Sequence, residues 1–259
     1  MITIPFYKYQ GTGNDFILLD NRSLFFDRTR TDIVAALCHR RFGIGADGLI
    51  LLQNKEGYDF EMVYFNADGR EGTMCGNGGR CIVQFAYDLK VIGSQTRFLA
   101  VDGPHDAEVD EHWVRLHMKD VDDIQQHSNY VFMNTGSPHY VADVQNIDSY
   151  EVVPVGKEIR YSSAFAPGGT NVNFMEKKGD RLFVRTYERG VEDETYSCGT
   201  GVTAAALSAA LQGMTSPISV QTVGGPLKVS FNRDETGRFV NIYLMGPAKQ
   251  VFQGSVDWI

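Results

Sequence analysis

The sequence contains no apolar run near the roughly 20 residues needed to cross a bilayer; the longest, around Val202 to Leu211, is short and rich in alanine. The opening stretch from Met1 to Lys8 lacks the basic-then-apolar order of a secretory leader. Positive charge is also in deficit. Against 32 Asp and Glu stand 24 Lys and Arg, a net charge of −8, and no dense Lys/Arg stripe offsets it. That balance excludes a nucleic-acid surface as the expected partner. Cysteine is scarce, with residues at 38, 75, 81 and 198, and there is no Cys-x-x-Cys. Cys75 and Cys81 lie six apart with no histidine cluster at zinc-like spacing. These absences predict a cytoplasmic protein with reduced thiols, no membrane association and no metal.

With 43% hydrophobic and 22% charged residues, the 259-residue chain falls in the ordinary globular range. It is long enough to bury a core without disulfides. Two short segments look alike: Met74-Cys75-Gly76-Asn77-Gly78 and Ser197-Cys198-Gly199-Thr200-Gly201, with their cysteines 123 positions apart. The same ungapped offset brings Thr12-Gly13 onto Thr135-Gly136, Asp20 onto Asp143, Phe60 onto Phe183 and Tyr64 onto Tyr187. A shared offset points to duplication.

Local patterns support matching halves. Tyr58 to Asn66 and Leu182 to Arg189 read as strands, as do the alternations at Val114, Leu116, Met118 and at Leu227, Val229, Phe231. After Cys75, the spacing of Ile82, Phe85, Ala86 and Leu89 predicts a helix. After Cys198, the small apolar run Val202 to Leu211 predicts a helix buried on most sides. A further helix is predicted from Asp32 to Arg41, stopped by Gly43, with Cys38 on its apolar face. The expected fold class is α+β: two similar pseudo-repeat lobes, each a curved, mainly antiparallel sheet around a central helix. The lobes are expected at 1–118, carrying Cys75, and 119–249, carrying Cys198, with 250–259 returning to the first. The cleft between lobes is the default ligand site.

Cys75 and Cys198 each precede a Gly-x-Gly turn at a predicted helix start. Exposed amides and the helix dipole there favour anions, a thiolate included. An unperturbed thiol, with pKa of about 8.5, is only a few per cent thiolate at neutral pH, so such a position matters. Two equivalent acid/base groups suit inversion at a carbon, where one removes a proton from one face and the other delivers one to the opposite face. A carbanion formed this way needs preorganised donors aimed at the adjoining carboxylate. Two thiolates side by side would repel, so one thiolate and one thiol form the expected working pair.

Three blocks carry a resemblance to a known family. Gly11-Thr12-Gly13-Asn14-Asp15-Phe16, the segment from Phe65 through Asn66, Cys75 and Asn77 to Cys81, and Glu188-Arg189-Gly190 ahead of Cys198-Gly199-Thr200-Gly201 are similar to those of diaminopimelate epimerases, and the likeness spans the chain. The resemblance implies interconversion of LL- and meso-diaminopimelate in bacterial lysine and cell-wall precursor synthesis. It also implies the two-lobed fold, no pyridoxal phosphate, no metal, and compatibility with a homodimer. It assigns Cys75 and Cys198 as the proton-transferring pair. Substrate contacts fall on Asn14, Asn66, Gly76, Asn77, Asn171, Glu188, Arg189, Gly199 and Thr200, with His139 and Glu188 as support for catalysis. The chemistry is apt: Arg189 can hold a carboxylate in a fork, and Glu188 can take an ammonium.

The chain departs from the family pattern at three places. Ser137-Pro138-His139 stands where members often read Asn-Pro-His, Gly48 where some carry a glutamine, and the acidic stretch with Glu192, Asp193 and Glu194 is longer than usual. Two rival readings are a proline or hydroxyproline racemase and a cysteine redox or metal-binding protein. The first typically has His where this chain has Asn77. The second lacks its motif.

Overall fold

The computed structural model describes residues 2–111 and 113–258. The chain divides into two units, Met1–Leu116 with Pro247–Ile259, and His117–Gly246.

The first unit opens with β1 (Ile2–Gly11), β2 (Asn14–Asp20), α1 (Thr31–Cys38), β3 (Gly48–Gln53), β4 (Glu61–Asn66) and α2 (Gly76–Asp88), and continues with β5 (Gln95–Ala100), β6 (Gly103–Asp110) and β7 (Trp113–His117). β1 runs antiparallel to β2, β2 parallel to β3, and β3 antiparallel to β4. β5, β6 and β7 form an antiparallel meander. Strands β2 and β3 are buried on both faces, which explains their continuous apolar runs. Ile17, Leu19, Leu49 and Leu51 meet the apolar face of α1, including Cys38. On the opposite face, Ile50 and Met62 meet the first turn of α2 at Gly78.

The second unit contains β8 (Ile124–Gln126), β9 (Val131–Asn134), β10 (Pro138–Asp143), α3 (Val152–Arg160), β11 (Asn171–Lys178), β12 (Arg181–Glu188), β13 (Asp193–Thr195), α4 (Gly199–Leu211), β14 (Ile218–Thr222), β15 (Gly225–Arg233) and β16 (Phe239–Pro247). β10 is parallel to β11 and β11 antiparallel to β12. β14, β15 and β16 are joined antiparallel. Tyr140, Val172, Phe174 and Tyr187 pack with Val152, Val155 and Ile159 of α3. Finally, β17 (Lys249–Trp258) pairs antiparallel with β1, in the first unit.

The duplication is visible in register. Phe16 lies opposite Gly48 in the first unit, and His139 opposite Asn171 in the second, each 123 positions on. α2 and α4 are each 13 residues long and start at equivalent positions. The ungapped offset slips by one in the next strand, however. Ile50 pairs with Tyr64, whereas Asn173 pairs with Thr186. Tyr64 therefore corresponds to Thr186 and Glu61 to Phe183, and the matches of Tyr64 with Tyr187 and of Phe60 with Phe183 are both corrected. Strand side chains alternate between faces, so a one-residue slip exchanges inside for outside.

Other differences are local. α1 ends at Cys38, short of the predicted Arg41, because His39 is extended and its Nδ1 accepts the Arg41 and Phe42 amides. α3 carries Pro154 and three valines, a poor helix signal; the proline sits in the first turn, where its missing donor costs nothing.

Candidate active site

Cys75 is the N-cap of α2, with φ −112° and ψ 117°, and its Sγ accepts the Gly78 amide at 3.5 Å. Cys198 is the N-cap of α4, with φ −113° and ψ 112°. Nearly identical backbone angles place the two cysteine residues alike, each at the positive end of a 13-residue helix. The other two cysteines differ in kind. Burial pushes the Cys38 thiol up to about 12 and the Cys81 thiol further still, so both stay protonated.

Around Cys75, the predicted residues meet directly. Cys75 Sγ lies 3.7 Å from Asn14 Oδ1, and Asn77 Nδ2 donates to that oxygen at 3.4 Å. Asn14 is oriented by Asp47, whose Oδ2 accepts its Nδ2 at 2.5 Å. Asp47 is tied in turn to Arg40 at 2.8 Å. Arg80, fully buried, donates from Nη2 to Thr12 Oγ1 at 3.1 Å and from Nη1 to Gly76 O at 3.4 Å, pinning the turn before Asn14 to the helix start. Burial pulls its guanidinium down to about 10. Asn66 is exposed at the end of β4, where its backbone opens the turn to Arg70. Gly48 has no room for a side chain: a Cβ would lie 2.6 Å from the Tyr64 ring and 2.5 Å from Phe65 O. Tyr64 thus fills the space that a glutamine at 48 would enter.

Around Cys198, Thr200 Oγ1 stands 3.5 Å from Sγ. His139 Nε2 is 2.9 Å from that hydroxyl and 3.0 Å from Ser137 Oγ. His139 is fully buried, and burial together with the Arg189 charge pushes its pKa down to about 3, so the ring is neutral. Asn171 is almost wholly enclosed. Its Nδ2 donates to Ser137 Oγ at 3.2 Å and Pro138 O at 3.0 Å, while its Oδ1 accepts the Arg189 amide at 2.9 Å. Gly199 forms the buried first residue of α4. Glu188 accepts from Thr195 Oγ1 at 2.8 Å, and Arg189 is exposed.

The acidic stretch after Arg189 is a clamp. Glu192 accepts from Arg160 at 3.0 Å, Tyr161 at 2.8 Å, Tyr187 at 3.2 Å and the Gly190 amide at 2.9 Å. Burial opposes its charge, but these donors prevail and hold its carboxyl at about 2. Glu194 forms a two-pronged pair with Arg185 at 2.6 and 2.7 Å. Nothing in the sequence assigns a site role to Asp47, Tyr64, Asn173 or Glu192. Each acts on a residue distant in the chain or through packing, and no local motif carries such a signal.

The family model for diaminopimelate epimerase matches residues 6–120 and 131–251. The chain belongs to the diaminopimelate epimerase family. A diaminopimelate epimerase of Flavobacterium psychrophilum is 51% identical, over 96% of this chain and 99% of that one. One of Chlorobaculum tepidum is 47% identical, over 95% and 98%. Family membership makes the protein an isomerase of the epimerase type. Solved structures agree in fold alone. A phenazine biosynthesis protein of the PhzF family from Bacillus anthracis has a TM-score of 0.78 at 14% identity, covering all of both chains. A hydroxyproline epimerase from Agrobacterium vitis has a TM-score of 0.66 at 13% identity, covering 98% of this chain and 92% of that one. Among the described residues no helix is long and apolar enough to cross a membrane, and no group of three or more His, Cys, Asp or Glu is placed to hold a metal.

Proposed function

We propose that this epimerase interconverts LL- and meso-diaminopimelate by two-base proton transfer at the α-carbon, with Cys75 and Cys198 as the two bases. The observation that carries the reading is the matched pair of cysteine N-caps, with backbone angles within a few degrees of one another. One thiolate takes the α-proton and becomes a thiol; the other thiol gives its proton to the opposite face of the carbanion and becomes a thiolate. The substrate is inverted, no electrons are gained or lost, and the enzyme's protonation is exchanged between the sulfurs.

The carbanion is the costly species. Amides at the starts of α2 and α4, at Gly76, Asn77, Gly199 and Thr200, are donors suited to the carboxylate beside it. Asn14, Asn66 and Asn171 are assigned to orienting the substrate, Arg189 to a carboxylate and Glu188 to an ammonium. His139 is assigned to support rather than to proton transfer, since it is neutral and enclosed. On this reading the enzyme works in the cytoplasm, in lysine and cell-wall precursor synthesis, without pyridoxal phosphate.

Incubating LL-diaminopimelate with the enzyme in heavy water tests the proposal. Deuterium at the α-carbon without added pyridoxal phosphate is expected, with Cys75→Ser and Cys198→Ser each inactive and folded. Strict dependence on pyridoxal phosphate, or near-full activity of either serine variant in reducing buffer, refutes it.

A further inference from the structure

The first turn of α4 rests on a polar group that the first unit does not have. Asn173 is fully buried beneath it, and a Cβ on Gly201 would lie 2.3 Å from Asn173 Oδ1. At the equivalent place in the first unit, a Cβ on Gly78 would lie 3.1 Å from Ile50 Cδ1. The neighbouring position differs in the same way, with buried His139 in the second unit and buried Phe16 in the first. Ile50 and Phe16 show that the fold packs well with apolar residues at these two places. Buried polar side chains there must be matched by hydrogen bonds or they cost stability. Their presence beside one cysteine and not the other calls for a reason in the chemistry.

Hydrogen-bond directions supply it. Asn173 Oδ1 accepts from Thr186 Oγ1 at 2.9 Å, and Asn173 Nδ2 donates to Tyr140 O at 2.9 Å, which sets the amide's orientation without reference to the histidine. The same Nδ2 points at His139 Nδ1, 3.1 Å away. That nitrogen must then be the acceptor, so the neutral ring carries its proton on Nε2. Nε2–H in turn faces Thr200 Oγ1 at 2.9 Å and Ser137 Oγ at 3.0 Å. Neither hydroxyl can send its own proton to a nitrogen that only donates. Ser137 Oγ accepts from Asn171 Nδ2 at 3.2 Å and gives its own proton to Thr200 Oγ1 at 3.2 Å, which leaves Cys198 Sγ at 3.5 Å to accept the Thr200 proton.

We infer that Asn173 is a positioning residue for Cys198: by locking the His139 tautomer it turns the Thr200 hydroxyl proton toward Sγ and favours the thiolate. The inference rests on the reading that Cys198 transfers protons. The charged group acting on His139 is Arg189, which also disfavours a cationic ring. Ser137, the departure from the family's asparagine, joins the same network as a second hydroxyl.

The test is the pH dependence of Cys198 alkylation by iodoacetamide, followed by peptide mass spectrometry in a Cys75→Ser background. Asn173→Ile, which installs the residue the first unit uses, and Thr200→Val are each expected to raise the midpoint by about one pH unit, so that labelling near neutrality is about tenfold slower. Thr200→Ser should retain the parental midpoint. With Cys75 intact, Asn173→Ile is expected to lower kcat with little change in KM, while Cys75 alkylation in a Cys198→Ser background stays unmoved. Nitrogen-15 NMR of the unmutated protein should show His139 protonated on Nε2. Folded Asn173→Ile and Thr200→Val proteins with unshifted midpoints overturn the inference, as does an Nδ1–H tautomer; if Asn173→Ile does not fold, Thr200→Val and the NMR decide. Activity in Cys198→Ser strikes instead at the proton-transfer reading, and the alkylation result stands apart from it.

Discussion

Asp47 accepts the amide Nδ2 of Asn14 at 2.5 Å, and that single contact turns the Asn14 carbonyl oxygen toward Cys75, 3.7 Å from Sγ. A hydrogen bond to a charged acceptor is worth about 1.5–3 kcal/mol, enough to hold one amide rotamer. Asp47→Ala is expected to lower kcat/KM about tenfold, equivalent to about 1.4 kcal/mol. The lost pairing with exposed Arg40 should matter little to stability. Steady-state kinetics beside thermal melts check this; kcat/KM within twofold of the parent would remove Asp47 from the site.

Gly201 and Gly78 occupy equivalent helix turns but face different neighbours. A methyl at 201 would press on Asn173 Oδ1 at 2.3 Å, an atom already held by Thr186, whereas at 78 it meets a movable Ile50 methyl at 3.1 Å. Gly201→Ala is expected to cost about 2–3 kcal/mol and Gly78→Ala about 1 kcal/mol or less. Urea unfolding of both variants tests the ordering, and equal costs would contradict it.

Glu192 gives the loop that carries Glu188 and Arg189 a pH dependence with a definite sign. Its carboxyl is held at about 2 when folded, against about 4.3 unfolded. Its contribution is therefore present above the unfolded value and is lost as pH falls through about 2. Melting temperatures of Glu192→Gln should lie below the parent at pH 6 and converge with it on acidification. A gap that widens in acid would show the wrong sign.

Lys8, 7% exposed, pairs with Asp15 at 2.7 Å, and Arg40 reaches the other carboxylate oxygen at 2.6 Å. Burial of Asp15 opposes its charge, yet the two cations hold its pKa at about 2. Asp15→Asn leaves an enclosed ammonium without its carboxylate and should cost about 3 kcal/mol. Replacing both, Lys8→Met with Asp15→Asn, should recover much of that loss. Denaturant midpoints for the single and double variants decide, and a double variant no better than the single would count against the pairing as the cause.

Much of the site is legible in the amino-acid sequence. The repeated Cys-Gly-x-Gly segments marked the helix starts because glycine and an N-cap residue leave a local trace, and both cysteines are N-caps. Asn14, Asn77, Asn171, Glu188 and Thr200 came from motif likeness, yet likeness could not show that Asn171 spends both ends of its amide on Ser137, Pro138 and Arg189. The acidic residues after Arg189 looked like an unexplained insertion, and they are the anchors for Arg160 and Arg185.

The sequence by itself determined the duplication, the paired cysteines and the family, since these are written as order and spacing along one strand of text. Tertiary structure decided which cysteine has a polar underlay and which an apolar one. Asn173 and His139 are 34 positions apart and read as ordinary strand residues. Only parallel pairing of β10 with β11 brings them under one helix turn, and a hydrogen bond's direction exists only once both of its ends are in place.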